Sequence, residues 1–162
     1  KFYNINMKKK TFLALFLLFL SSCGFEAKYS KKNIDNFNFS ISELNFIGDR
    51  DVNLKIKEKL NNYTLVKKNK NFILEISSTS EKLVLAKNLS GDPTNFKINI
   101  IVKIDVFLDD VSKKKFEIIE SFNYDNNLNK FELKRYEKEI KDNLANTATD
   151  KLIFKLSNVQ WY

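Results

Sequence analysis

Apolar and polar residues alternate in several stretches of this chain and recur at helical spacing in others. Phe37, Phe39 and Ile41 alternate with polar neighbours, the period of a half-buried strand. The phase then slips, because Leu44 and Phe46 continue on even numbers. That predicts a bulge near Ser42-Glu43, or the end of the strand. Gly48-Asp49 breaks the pattern. Val52, Ile56, Leu60 and Tyr63 then follow helical spacing, with Lys55, Lys57 and Lys59 off the stripe. Asp49 or Asp51 is expected to cap this helix, and Asn61-Asn62 to stop it.

Phe72, Leu74 and Ile76 open a second strand, and a polar patch from Ser77 to Ser80 leads to Leu83, Val84 and Leu85. Ser90-Gly91-Asp92-Pro93 has turn composition. Phe96, Ile98, Ile100, Val102, Ile104, Val106 and Leu108 then define one strand face, with Lys97, Asn99, Lys103 and Asp105 on the other. Asp109 to Lys113 is a predicted hairpin turn. Phe116, Ile118, Phe122 and Tyr124 repeat the alternation, interrupted by Glu120. After a polar loop from Asp125 to Lys130, Leu133, Tyr136, Ile140, Leu144, Ala148, Leu152, Leu156 and Val159 mark a helix. Ala145, Ala148 and Thr149 are small enough to let it lie close on a sheet. The predicted class is α+β, a two-layer sandwich in the order β-α-β-β-β-α. It has a mostly antiparallel sheet of about four strands, with two helices on one face. The opposite sheet face reads as polar.

The first residues follow a different logic. Lys8, Lys9 and Lys10 precede an apolar run, Thr11 to Leu20, which ends in Leu20-Ser21-Ser22-Cys23. A charged region, an apolar region and small residues in that order read as a secretory signal. The run of about ten residues is shorter than the roughly 20 a bilayer-spanning helix needs. Leu-Ser-Ser-Cys resembles the bacterial lipobox, which implies cleavage before Cys23 and acylation of its sulfur and amine. More than one acyl chain gives stable anchoring. Met7 is the expected start. Residues 1–22 are therefore expected to be upstream residues and signal peptide, 23–36 a lipidated tether, and 37–160 a single domain. Fully extended, a tether of roughly a dozen residues reaches about 40 Å.

Charge changes the picture once this leader is set aside. Four of the 28 Lys and Arg lie before residue 23, while all 20 Asp and Glu lie after it, so the formal balance falls from +8 to +4. Cys23 is the lone cysteine, so the chain forms no internal disulfide. There is no histidine, which removes the commonest general base and metal ligand. The three glycines, Gly24, Gly48 and Gly91, have no phosphate-loop spacing. Asp109-Asp110 reads as turn chemistry, and Glu137 and Glu139 beside Lys138 and Lys141 as a solvated helix face. No catalytic residues, cofactor or metal ligands are expected, and the function reads as non-enzymatic. Lys82 and Lys87 flank the apolar Leu83-Val84-Leu85, and Lys130, Lys134 and Arg135 begin the last helix. Basic groups beside apolar ones suit an anionic amphiphile, with cations on phosphates and aliphatic stems along acyl chains. A lipobox exports the chain, which disfavours nucleic acid as a partner.

Three stretches carry a family resemblance. Cys23-Gly24-Phe25 resembles the start of mature LPS-assembly lipoproteins of the LptE family. Phe122-Asn123-Tyr124-Asp125-Asn126 resembles the aromatic end of that family's last strand and the Asp-Asn loop after it. Ala148 and Lys151-Leu152-Ile153-Phe154-Lys155-Leu156 resemble the ending of its final helix. The element order matches over nearly all of residues 23–158. The high lysine content is a departure from the pattern. The resemblance implies a lipoprotein on the periplasmic side of the outer membrane of a Gram-negative bacterium. It implies a partner, the LptD-like β-barrel that inserts lipopolysaccharide, and contact with lipopolysaccharide itself. The positions nearest the family's basic residues are Lys87 and Lys134, with Arg135 adjacent. Gly24 after the cysteine is similar to lipoproteins sent to the outer membrane. Two rival classes remain: a barrel-assembly scaffold lipoprotein that binds no lipopolysaccharide, and a lipid-anchored enzyme using only Asp, Glu, Ser or Lys.

Overall fold

The computed structural model describes residues 37–65, 67–108 and 112–160. The signal and tether expected over 1–36, including Cys23, lie outside the described residues, as do Asp109 and Asp110. The elements are β1 (Phe39–Gly48), α1 (Arg50–Leu60), a 3₁₀ turn (Asn61–Tyr63), β2 (Lys70–Lys87), β3 (Pro93–Leu108), β4 (Ser112–Asp125) and α2 (Lys130–Asn158). This is the β-α-β-β-β-α order that the hydrophobic pattern predicts.

The strands form one sheet in the order β1-β2-β3-β4. The β2–β3 and β3–β4 pairs are antiparallel, but β1 and β2 run parallel, so the sheet is mixed. The reason is the α1 crossover, which carries the chain back to the end where β1 began. The bulge falls where the phase slip puts it: Ile41 pairs with Phe72 and Glu43 with Ile73, leaving Ser42 as the extra residue. It returns Leu44 and Phe46 to the face occupied by Ile41.

The polar patch Ser77–Ser80 does not interrupt β2, which runs unbroken for 18 residues. Ser78 is buried opposite Val102, and its hydroxyl donates to Asn53 Oδ1 at 2.7 Å. A satisfied hydroxyl is tolerated in the core where an unpaired one is costly. The same turn is closed by Gly48, at φ +101°, whose Cα approaches the Ser78 carbonyl so closely that a β-carbon has no room. Asp49 caps α1 by accepting from the Asp51 and Val52 amides.

Both helices cover one face of the sheet. Val52, Ile56 and Leu60 of α1 are buried there with Leu133, Ile140, Leu144, Leu152 and Leu156 of α2. They meet Phe72, Leu74 and Ile76 of β2 and the even-numbered residues of β3 from Phe96 to Val106. Ala145, Ala148 and Thr149 are buried, and Thr149 Oγ1 donates to the Ala145 carbonyl at 2.7 Å. The helices are joined along their sides by Lys59 and Asp150, 2.7 Å apart. Glu120, which breaks the β4 alternation, points to the helix side and pairs with Lys151 of α2 at 2.5 Å. The far face carries Glu75, Ser77, Lys103 and Glu117, but also half-buried Ile73 and Ile101 and exposed Ile119.

Candidate ligand and partner surfaces

The chain enters the sheet at Phe39, opposite Lys70 at the start of β2. At about 3.3 Å per residue, Lys87 at the other end of β2 lies about 55 Å away. The end of β2, the start of β3, the end of β4 and the start of α2 share this far end. Asn126 ties them together: its amide donates to the Thr94 carbonyl at 2.8 Å, and its side chain to the Pro93 carbonyl at 2.7 Å. Lys87, Lys134 and Arg135 therefore belong to the same end of the domain, and all three are exposed.

They do not form one pocket. Among the described residues, no ion pair or hydrogen bond joins Lys87 to the helix pair. Arg135 Nη2 is paired with Glu132 Oε2 at 2.8 Å, so an anion must compete with that carboxylate. A cleft of about 790 Å³ between the end of β4 and the first turns of α2 includes Arg135 but neither Lys87 nor Lys134. Asp125, Glu132 and Glu139 share that cleft with Arg135, giving it an acidic balance that disfavours phosphate inside it. Lys87 and Lys134 stand outside it, in solvent.

Lys82 has a different role from Lys87. Its Nζ sits 3.8 Å from the centre of the Phe96 ring and 2.6 Å from Glu137 Oε1. The same Glu137 oxygen accepts the Tyr124 hydroxyl at 2.9 Å. Glu137 is thus a bridge between α2 and the sheet rather than a solvated charge. The Tyr124 hydroxyl is pushed up from its ordinary pKa, first by burial and then by the Glu137 hydrogen bond.

The apolar stretch Leu83-Val84-Leu85 that the sequence singles out leaves Val84 and Leu85 about half exposed, as is Phe122. The pattern missed three further apolar residues at this end: Leu89 in the β2–β3 turn, Leu128 in the loop before α2 and Phe131 in its first turn are strongly exposed. Leu89 and Leu128 lie in turns with no periodicity to draw attention to them. Their signal was only that large apolar side chains stand among Asn, Gly and Asp.

A second depression, of about 680 Å³, crosses the far face of the sheet. Two ladder rows line it: Asn45–Glu75–Asp105–Lys115 and Ile47–Ser77–Lys103–Glu117. Lys115 pairs with Asp105 at 3.6 Å, so the charges here largely offset each other.

No protein-family model matches the chain, and no curated protein matches it in sequence. Solved structures do. The fold is similar to that of bacterial lipoproteins. Rare lipoprotein B from Shewanella oneidensis superposes with a TM-score of 0.53 at 17% identity, covering 72% of this chain and 97% of that one. A minor lipoprotein from Acinetobacter baumannii gives 0.51 at 14% identity, over 72% of this chain and 90% of that chain. Lipoprotein B from Nitrosomonas europaea gives 0.54 at 12% identity, over 83% and 90%. At these identities the likeness is one of fold.

Proposed function

We propose that this chain is an outer-membrane lipoprotein, anchored through Cys23, that assembles with and plugs an LptD-type β-barrel and assists lipopolysaccharide insertion. One coincidence carries the reading: a Leu-Ser-Ser-Cys lipobox stands before a domain whose fold is similar to three solved lipoproteins. The domain's shape agrees with it. The chain enters at one end, and the basic and apolar surface is about 55 Å away at the other. A bilayer's hydrocarbon core is about 30 Å thick. A domain held at the periplasmic leaflet by its first end is long enough to carry its far end through a barrel lumen. There, Lys87 and Lys134, with Arg135 beside them, would meet the phosphates of lipopolysaccharide, and Leu89, Leu128 and Phe131 its acyl chains. The protein acts by binding and positioning, with no bond made or broken.

The test has two arms. Affinity capture of the membrane-extracted protein should bring down an LptD-like barrel. Capture of a general barrel-assembly machine in its place would reject the reading and favour the scaffold alternative. Replacing Lys87, Lys134 and Arg135 together by alanine should weaken lipopolysaccharide binding and reduce its salt dependence, since exposed charges are screened over about 8–10 Å at moderate ionic strength. An unchanged titration at two salt concentrations would reject the basic site alone. Mass spectrometry of the mature protein should show an acylated amino-terminal Cys23, absent in Cys23→Ser.

A further inference from the structure

The end of the domain where the chain enters is basic. Phe37, the first described residue, stands there with its ring 5.4 Å from that of Tyr63. The start of β2, the end of β3 and the start of β4 meet at this end, through the pairs Phe72↔Leu108 and Leu108↔Ser112. The end of α2 joins them where Lys114 Nζ donates to the Gln160 carbonyl. No Asp or Glu occurs from Asn61 to Leu74, or from Lys151 to Gln160. The same stretches carry Lys67, Lys68, Lys70, Lys151 and Lys155.

Acids on the neighbouring turns are held by other lysines. Asp150 pairs with Lys59 at 2.7 Å, Glu120 with Lys151 at 2.5 Å, and Asp105 with Lys115 at 3.6 Å. Asp109 and Asp110 of the β3–β4 turn lie outside the described residues. Even at full charge they leave this end positive, because Lys67, Lys68, Lys70, Lys114 and Lys155 outnumber them. Lys67 and Lys155 are exposed and Lys70 is half-buried. Two large apolar side chains stand in solvent at the same end, Leu65 at 72% and Phe154 at 71% exposure.

We infer that this end docks on the anionic phospholipid headgroups of the leaflet that carries the lipid anchor. Lys67, Lys70 and Lys155 meet phosphates, and Leu65 and Phe154 reach the acyl boundary. The inference rests on anchoring through Cys23 and not on the barrel. Lysines are drawn to an anionic leaflet one by one, with no matching pocket required. That suits cations spread over separate elements. Their aliphatic stems and the exposed apolar pair add burial at the interface. The tether selects a lipid surface over an acidic protein. Residues 24–36, about 40 Å long when extended, keep this end within reach of the leaflet. A weak attraction then acts at high effective concentration. Acyl chains fix the amino terminus to the membrane without orienting the domain, and the second contact supplies that orientation. The barrel reading also leaves this end at the periplasmic leaflet and uses the opposite end, so the two contacts share no residue.

The test uses the acylated protein, purified from membranes and reconstituted in vesicles. Acylation consumes Cys23, so an introduced cysteine is the sole thiol. A dye on Asn69→Cys reports the entry end and a dye on Ser90→Cys the opposite turn; both positions are exposed. Vesicles of phosphatidylethanolamine and phosphatidylglycerol, doped with nitroxide lipid, should quench the dye at 69 and not the dye at 90. Vesicles of phosphatidylcholine should quench neither. Added salt should relieve the quenching, since exposed charges are screened over about 8–10 Å at moderate ionic strength. Replacing Lys67, Lys70 and Lys155 together by alanine should lower the ratio of docked to undocked protein roughly a hundredfold, about fivefold for each lysine. Circular dichroism should be unchanged.

Equal quenching at 69 in anionic and neutral vesicles would overturn the contact. So would quenching that survives the triple substitution, or that appears at 90 instead. The vesicles hold neither barrel nor lipopolysaccharide, so these outcomes are independent of the barrel reading. A protein without acyl mass fails the anchoring reading and this contact together. An acylated protein whose entry end stays off anionic vesicles fails this contact alone, and leaves an acidic polypeptide as the partner class.

Discussion

Lys82 of β2 and Glu137 of α2 form an ion pair at 2.6 Å that clasps the long β2 arm to the start of the helix. Glu137 also accepts the Tyr124 hydroxyl, so one carboxylate holds two partners from two strands. Glu137→Ala should destabilise the domain by about 1–3 kcal/mol in urea unfolding, since it leaves a buried hydroxyl unpaired. Lys82→Ala should cost less, about 1 kcal/mol at most, because the ammonium is partly solvated. Equal losses would mean that the lysine, not the tyrosine, is the important partner.

Two buried tyrosines make the fold sensitive to alkali. Burial, with Asp150 nearby, pushes the Tyr63 hydroxyl up to about 12, and Tyr124 is also raised. A raised tyrosine contributes stability that is complete below its unfolded pKa of about 10 and is lost as pH rises through the folded value. Melting temperature should therefore fall between about pH 10 and 12. Tyr63→Phe keeps the ring stacked on Phe39 and should flatten that fall.

On the acid side Asp49 is a contributor. Burial acts to raise its pKa, but the Ser80 hydroxyl, the Val52 amide, Lys141 and the Asp51 amide together outweigh it and hold it below the ordinary value. A depressed carboxylate contributes stability that is present above its unfolded pKa and lost as pH falls through the folded one. Asp49→Asn should retain the helix cap while removing this acid dependence, and Asp49→Ala should lose both, at about 1–2 kcal/mol. Thermal melts from pH 7 down to pH 2 distinguish the two.

Gly48 and Gly91 both have positive φ, at 101° and 88°. Only at Gly48 would a β-carbon strike backbone, the Ser78 carbonyl oxygen. Gly48→Ala should cost more than about 2 kcal/mol, and Gly91→Ala about 1 kcal/mol, reflecting backbone conformation alone. Chemical denaturation of the two variants measures the difference directly.

The two faces of β3 give a matched pair. Ile100 is fully buried and Lys103 is exposed. Ile100→Ala should cost about 2–5 kcal/mol, and Lys103→Ala should stay within about half a kcal/mol. Equal costs would contradict the facing of the strand.

Much of this architecture is local and therefore legible along the chain. Alternation reports which strand residues face the helices, because side chains project to opposite sides of a strand in turn. The slip at Ser42 is a bulge because one extra residue reverses that alternation. Asp49 caps α1 because its side chain bonds amides two and three residues ahead. Each of these depends on neighbours within a turn or a few residues of strand.

What the tertiary structure decided depends on partners far apart in sequence. The parallel pairing of β1 with β2 follows from where α1 returns the chain. Ser78 became a core residue rather than a break because Asn53, 25 positions away, accepts its hydroxyl proton. Glu137 looked solvated among its helical neighbours and is held by Lys82 and Tyr124 from the sheet. Lys87, Lys134 and Arg135 share one end of the domain but not one pocket, which no spacing along the chain reveals. Periodicity encodes burial, a one-dimensional quantity. Which charge meets which, and which edge stays open, is settled only when distant segments are packed together.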